Sequence, residues 1–139
     1  MKNVRRMVFA ILAVLVLVIP VCAAENASEI IVSFDAGITE MPDGTLLVDF
    51  DIATLGPSTR LGATKVIVEV KENGRWTEAE TYTLLTNPEL QGQSKSFYRS
   101  SVTYSEPISG NQYRAYVKFY ATNGTVTDTR EFYTTSIVA

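Results

Sequence analysis

From Ile30 to the C-terminus, apolar and polar residues alternate with a period of two in short runs broken by turn residues. That spacing is the signature of strands with one buried face. The clearest run is Tyr113 to Ala121. Tyr113, Ala115, Val117, Phe119 and Ala121 form one row, and Arg114, Tyr116, Lys118, Tyr120 and Thr122 the other, which predicts a central strand with its small and apolar row in a core. Ile30, Val32, Phe34, Ala36 and Ile38 predict a first strand, and Met41-Pro42-Asp43-Gly44 a turn, with proline pre-set at the second position and glycine free to take positive φ. The second strand, Thr45 to Ala53, turns Leu46, Val48, Phe50 and Ile52 inward and Leu47, Asp49 and Asp51 outward. Gly56-Pro57 and Gly62 mark 54–62 as a loop, after which Val66, Val68 and Val70 are the inward row of a third strand, Lys65 to Lys71.

Asn73-Gly74 between two alternating runs is the strongest short-range hairpin signal, and it returns the chain along Arg75 to Leu85. A two-residue loop pairs Lys71 with Trp76 and sends Trp76, Glu78, Glu80 and Tyr82 outward. Residues 87–92 read as a loop and Lys95 to Ser105 as a fifth strand, whose inward face is open because Phe97 has one parity and Tyr98, Val102 and Tyr104 the other. Asn123-Gly124 leads into a last strand, Thr125 to Thr134, where Phe132 and Tyr133 compete for the inward place. Seven strands with no helical period predict an all-β fold, a seven-stranded antiparallel β-sandwich over residues 30–139.

The N-terminus follows a different pattern. Lys2, Arg5 and Arg6 precede an unbroken apolar run from Met7 to Ile19, Pro20 ends it, and Val21-Cys22-Ala23-Ala24 supplies small residues for cleavage. Residues 1–24 therefore read as a secretory signal peptide and 25–29 as a short polar lead-in. The run falls short of the roughly 20 residues a spanning helix needs, which leaves an uncleaved anchor as the rival reading. Cleavage after Ala23 or Ala24 removes Cys22, the one cysteine, so the exported domain is expected to fold without disulfides. The leader carries three of the twelve basic residues and none of the fifteen acidic ones, leaving nine against fifteen. An acidic surface speaks against nucleic acid as a partner and against anionic lipid headgroups.

Gly110-Asn111-Gln112-Tyr113, the alternating residues to Ala121 and the Asn123-Gly124 turn resemble the end of a fibronectin type III domain. Such domains have a glycine and a tyrosine entering strand F and an Asn-Gly turn into strand G. The alanine here lies two residues later than in that pattern, and Pro107-Ile108 replaces its usual leucine and proline spacing. The resemblance implies an immunoglobulin-like β-sandwich. Leu61-Gly62-Ala63, Asn73-Gly74-Arg75-Trp76, Phe119-Tyr120-Ala121 and Thr127-Asp128-Thr129-Arg130, with the leader, also look like a group of small exported proteins of Gram-positive anaerobic bacteria. This second resemblance implies a compartment and a fold, and no activity.

With no histidine anywhere and no cysteine after the leader, histidine bases, Ser-His-Asp triads and thiolate chemistry are excluded, and no cofactor is called for. Asp49 and Asp51 are the carboxylate pair a glycan hydrolase would use. They project in parallel from one strand, however, and cannot flank a bond. A solvated outer face is the better account of them. Asp35, Glu40 and Asp43 lack the ligand ladder of a calcium loop. The row outside the core is more informative: in a fibronectin-like topology Trp76, Tyr82, Tyr116 and Tyr120 share one exposed face with Lys71, Arg114 and Lys118. That face is the expected binding site for a glycan or a protein outside the cell, set against the plainer reading that aromatic and basic neighbours only stabilise the sheet. A purely structural part in a larger surface assembly, joined through an exposed edge strand, is the third expectation.

Overall fold

The alternation seen in the sequence becomes strand almost everywhere after the lead-in. A computed structural model describes residues 29–139. The signal peptide expected over 1–24 and most of the lead-in lie outside the described residues. The strands are β1 (Ile31–Glu40), β2 (Leu46–Glu72), β3 (Arg75–Thr83), β4 (Gln91–Tyr104), β5 (Gln112–Thr122), β6 (Thr127–Tyr133) and β7 (Ile137–Val138), with one 3-10 turn at Pro88–Leu90. All pairings are antiparallel, and the sheet curls on itself in a way consistent with a β-sandwich.

The curl is built into β2. Its first part, Leu46 to Ala53, runs between β1 and β4, while its last part, Lys65 to Glu72, runs beside β3 and, through Val70, beside β5. The loop expected at 54–62 is therefore corrected: the strand continues through it, with its pairing to β4 interrupted between Ala53 and Ser58 and Gly56 at φ 86°. Glycine and proline here bend a strand rather than end it. Gly62, at φ 142°, lies where β2 passes from one set of neighbours to the other. A Cβ added there would stand 2.1 Å from the Leu90 carbonyl oxygen, so the close approach admits glycine alone.

The two ends of the curled sheet bury one cluster between them. Phe34 of β1 packs on Phe119 of β5 with ring centroids 5.2 Å apart and meets Phe132 of β6 edge-on at 6.2 Å, and Phe50 of β2 meets Phe119 at 6.0 Å. Tyr113, Ala115, Val117, Phe119 and Ala121 are all buried, as their shared parity predicts. Both open parities are settled: Tyr98, Val102 and Tyr104 turn inward while Phe97 is 53% exposed, and Phe132 packs on the core while Tyr133 is 51% exposed. Two polar contacts lock the ends. The buried carboxylate of Asp128 in β6 accepts the backbone N–H groups of Ile30 and Ile31 at 3.1 and 3.0 Å, and the Tyr113 hydroxyl accepts the Ile108 N–H at 2.8 Å.

Candidate functional site

The Asn73-Gly74 turn, with both residues at positive φ, closes the β2–β3 hairpin and sets Lys71 opposite Trp76, as the sequence predicts. The register then shifts: Glu69 faces Glu78 but Val68 faces Glu80, leaving Ala79 as an extra residue in β3. One added residue reverses which side chains face the core. Tyr82 is consequently turned inward opposite Val66, 8% exposed, with its hydroxyl donating to the Thr103 carbonyl at 2.9 Å. Burial pushes its phenol well above the usual range. Its expected place on the outer face is thus corrected.

The other members of that face do come together. Glu69 and Arg114 are direct cross-strand partners and form an ion pair, Arg114 Nε donating to Glu69 Oε2 at 2.6 Å. The guanidinium then lies between two rings, 4.4 Å from the centroid of Trp76 and 4.4 Å from that of Tyr133. Lys71 Nζ stands 5.7 Å from the Trp76 ring. Tyr133 continues the row to its register partner Tyr116 at 5.0 Å, and the Tyr116 hydroxyl donates to Glu131 Oε1 at 2.7 Å. Burial, reinforced by that acceptor and its charge, pushes the Tyr116 phenol up to about 12. Lys118 and Tyr120 extend the same outward row of β5, opposite Glu131 and Thr129.

Lys71, Trp76, Glu69, Arg114, Tyr133 and Tyr116 thus form a continuous band across β3, β2, β5 and β6, with Lys118 and Tyr120 along one side. Each guanidinium–ring contact contributes about 0.5 to 2 kcal/mol, depending on how far water is excluded. Tyr133 is the member that parity left open. Local parity carries no signal for it, since Thr127, Thr129 and Glu131 share its row while the charged Asp128 and Arg130 share that of Phe132; the packing of Phe132 on Phe34 decides the faces.

Asp49 and Asp51 are not part of this band. They lie on the outer row of β2 between β1 and β4, Asp51 beside Asp35 and paired with Arg99 at 3.3 Å, Asp49 lying across Gly37. Asp43 receives the Thr45 N–H and hydroxyl at 3.0 and 2.7 Å, which tightens the first turn and lowers its pKa. A shallow cavity of about 220 Å³ is lined by Arg60, Leu84, Pro88, Gln91 and Gln93, below the size of an ordinary small-molecule pocket and away from the aromatic band. No protein-family model matches the chain, and no curated protein or solved structure matches it significantly.

Proposed function

We propose that this chain is an exported, non-catalytic β-sandwich of fibronectin type III or immunoglobulin-like type that works by binding a partner outside the cell through the outer band of β3, β2, β5 and β6. The type is supported by the pairing, in which β1, the start of β2 and β4 form one layer and β3, the end of β2, β5 and β6 the other. It is supported too by the Tyr113 hydroxyl, which reaches back five residues to the Ile108 amide as the corner tyrosine of such domains does. Export rests on the basic and apolar leader.

The observation that carries the binding reading is the band itself, where one tryptophan, one arginine and two tyrosines are held in contact on an outward surface. Those residue types dominate the energetics of protein interfaces. Trp76 and Tyr133 each give contact to Arg114, which leaves less free ring surface for a sugar to stack on. A protein partner therefore suits the band better than a glycan.

The test sets the mature domain, residues 25–139, against a glycan array and against proteins of the producing cell's surface, with Trp76→Ala and Tyr116→Ala beside wild type. Binding lost in both variants but kept in Phe97→Ser, on the opposite outer face, supports the reading. Binding that survives both substitutions overturns it.

A further inference from the structure

The four strands that end a row of neighbours differ in how their free edge is treated. β1 carries a register shift between Ile31 and Ser33, β3 carries the extra Ala79 flanked by Glu78 and Glu80, and β6 is seven residues long. Bulges, charges and short length are the usual means of stopping edge pairing. β4 has no bulge over Phe97–Tyr104 and little charge. Its eight consecutive residues pair with β2 from Ala53 to Leu46 without a shift, contain no glycine or proline, and hold one charge, Arg99. Among the described residues its strand neighbour is β2, on one side.

The direction of its free peptide groups can be read from two side-chain contacts. In an antiparallel ladder the N–H and C=O of one residue point the same way, and successive residues alternate. The Ser96 carbonyl is met by Thr54 Oγ1 of β2 at 3.4 Å, whereas the Thr103 carbonyl is met by Tyr82 of β3 at 2.9 Å. Odd-numbered residues from Phe97 to Thr103 therefore direct their peptide groups away from β2, and even-numbered ones toward it.

We propose that this edge pairs with the same edge of a second copy, antiparallel about a two-fold axis at Ser100, so that the β1–β2–β4 layers of two chains join into one sheet. In this register Arg99 of each copy exchanges both backbone hydrogen bonds with Ser101 of the other, and Phe97 faces Thr103, whose carbonyl keeps the Tyr82 hydroxyl on one lone pair and takes the Phe97 N–H on the other, while Ser100 faces itself. Inward and outward rows stay continuous across the junction, which a one-residue slip would not allow. Charge selects a copy of this chain as the occupant. Asp49 lies opposite Ser101 within one chain and has no ion-pair partner among the described residues. Pairing at Ser100 lays the other copy's Arg99 directly across Ser101 and one strand from that carboxylate, where the guanidinium, bonded to Asp51 of its own chain at 3.3 Å, reaches over the small serine and bridges the two aspartates. The exposed Phe97 ring gains cover at the outer ends of the junction.

The experiment uses the mature domain, which has no cysteine once the leader is removed. Ser100→Cys is expected to form a disulfide-linked dimer on mild oxidation, because facing residues of a non-hydrogen-bonded pair stand about 4.5 Å apart, within disulfide reach. Ser101→Cys, offset by two residues from its own copy, is expected not to. Sedimentation of wild type should show mass rising from one chain toward two with concentration, and Ser101→Pro, which removes an N–H directed away from β2, should stay monomeric. Should that proline unfold the domain, hydrogen exchange on wild type still decides: amides of Phe97, Arg99 and Ser101 must slow with concentration while those of Trp76 and Glu78 do not. Monomer at every concentration, a dimer insensitive to Ser101→Pro, or linkage through Ser101→Cys in place of Ser100→Cys overturns the proposal. So does protection of β4 amides that appears only when another protein is added.

Discussion

Asp128→Ala should detach the start of β1 from β6, and the size of the effect follows from the contacts. Asp128 is 8% exposed, and its two oxygens are aimed at different donors: Oδ2 accepts the N–H groups of both Ile30 and Ile31, while Oδ1 takes the guanidinium of Arg130. Hydrogen bonds to a charged acceptor contribute about 1.5 to 3 kcal/mol each, and a buried donor left without a partner costs about 1 to 3. Water that reaches the two amides once the strand end detaches returns part of that cost, so a net loss of about 3 kcal/mol is expected. On a total of about 5 to 15 kcal/mol this is severe. With a urea slope of about 1 to 3 kcal/mol per molar, the midpoint should fall by about 1 to 3 M. Asp128→Asn should fall between, by about 1 to 2 kcal/mol, because an amide has one acceptor oxygen and can serve the strand or the arginine but not both. Urea unfolding followed by Trp76 fluorescence gives the midpoint, and hydrogen exchange gives the location. The Ile30 and Ile31 amides should lose protection in the alanine variant while Val66 and Val68 keep theirs relative to the new global stability. A midpoint within about 0.3 M of wild type, or undiminished protection at Ile30 and Ile31, would refute the reasoning.

Tyr113→Phe removes the acceptor of the Ile108 N–H from a side chain only 1% exposed and should cost about 1 to 2 kcal/mol, seen as a melting temperature lower by about 5 to 10 °C. Gly62→Ala should yield no soluble folded protein, since its Cβ would collide with the backbone at Leu90, whereas Gly44→Ala, with open space at φ 81°, should fold with a loss of about 1 to 2 kcal/mol; expression and circular dichroism separate them. Ultraviolet titration should show a phenol ionising near pH 12 that vanishes in Tyr116→Phe. Because the folded state raises that pKa above the unfolded value of about 10, the contribution of Tyr116 to stability is complete below about pH 10 and is lost as pH rises toward 12. A Tyr116→Phe variant with the same stability loss over that range would show that another group is responsible.

The turns and the central strand were legible in the sequence because each rests on local chemistry. Asn73-Gly74 dictates its own hairpin, and the Tyr113 to Ala121 row has no apolar competitor on its other face. Two other features depend on distant partners. Nothing local separates a glycine that ends a strand from one that bends it, so Gly56 and Gly62 read as loop, although β2 continues under pairing from β1, β4 and β5. Nor does β3 announce its extra residue: Trp76, Glu78, Glu80 and Tyr82 alternate without a break, and the shift at Ala79 is resolved by what Tyr82 gains inside the molecule. Asp128 reads as solvated in the sequence because it shares β6 with Arg130 and Glu131, and its burial is set by the distant N–H groups of Ile30 and Ile31.

The inward turn of Tyr82 also separates the part of the molecule that holds it together from the outer band proposed to meet a partner. Placed inside, its ring is nine-tenths covered and its hydroxyl ties β3 to β4 across the fold, so removing it should act chiefly on stability. Trp76, Tyr116 and Tyr133 are only half-buried or exposed and touch the core cluster through none of their ring contacts, which are to one another, to Arg114 and to Lys71. Truncating a buried aromatic such as Phe119 costs about 3 to 5 kcal/mol, whereas each outer contact is worth about 0.5 to 2. A substitution in the band therefore leaves most of the fold's stability in place, and a loss of binding in Trp76→Ala or Tyr116→Ala can be assigned to the surface. The same substitution in Tyr82 could not be read that way, because its effect on a partner would arrive through the register of β3 and the edge of β4.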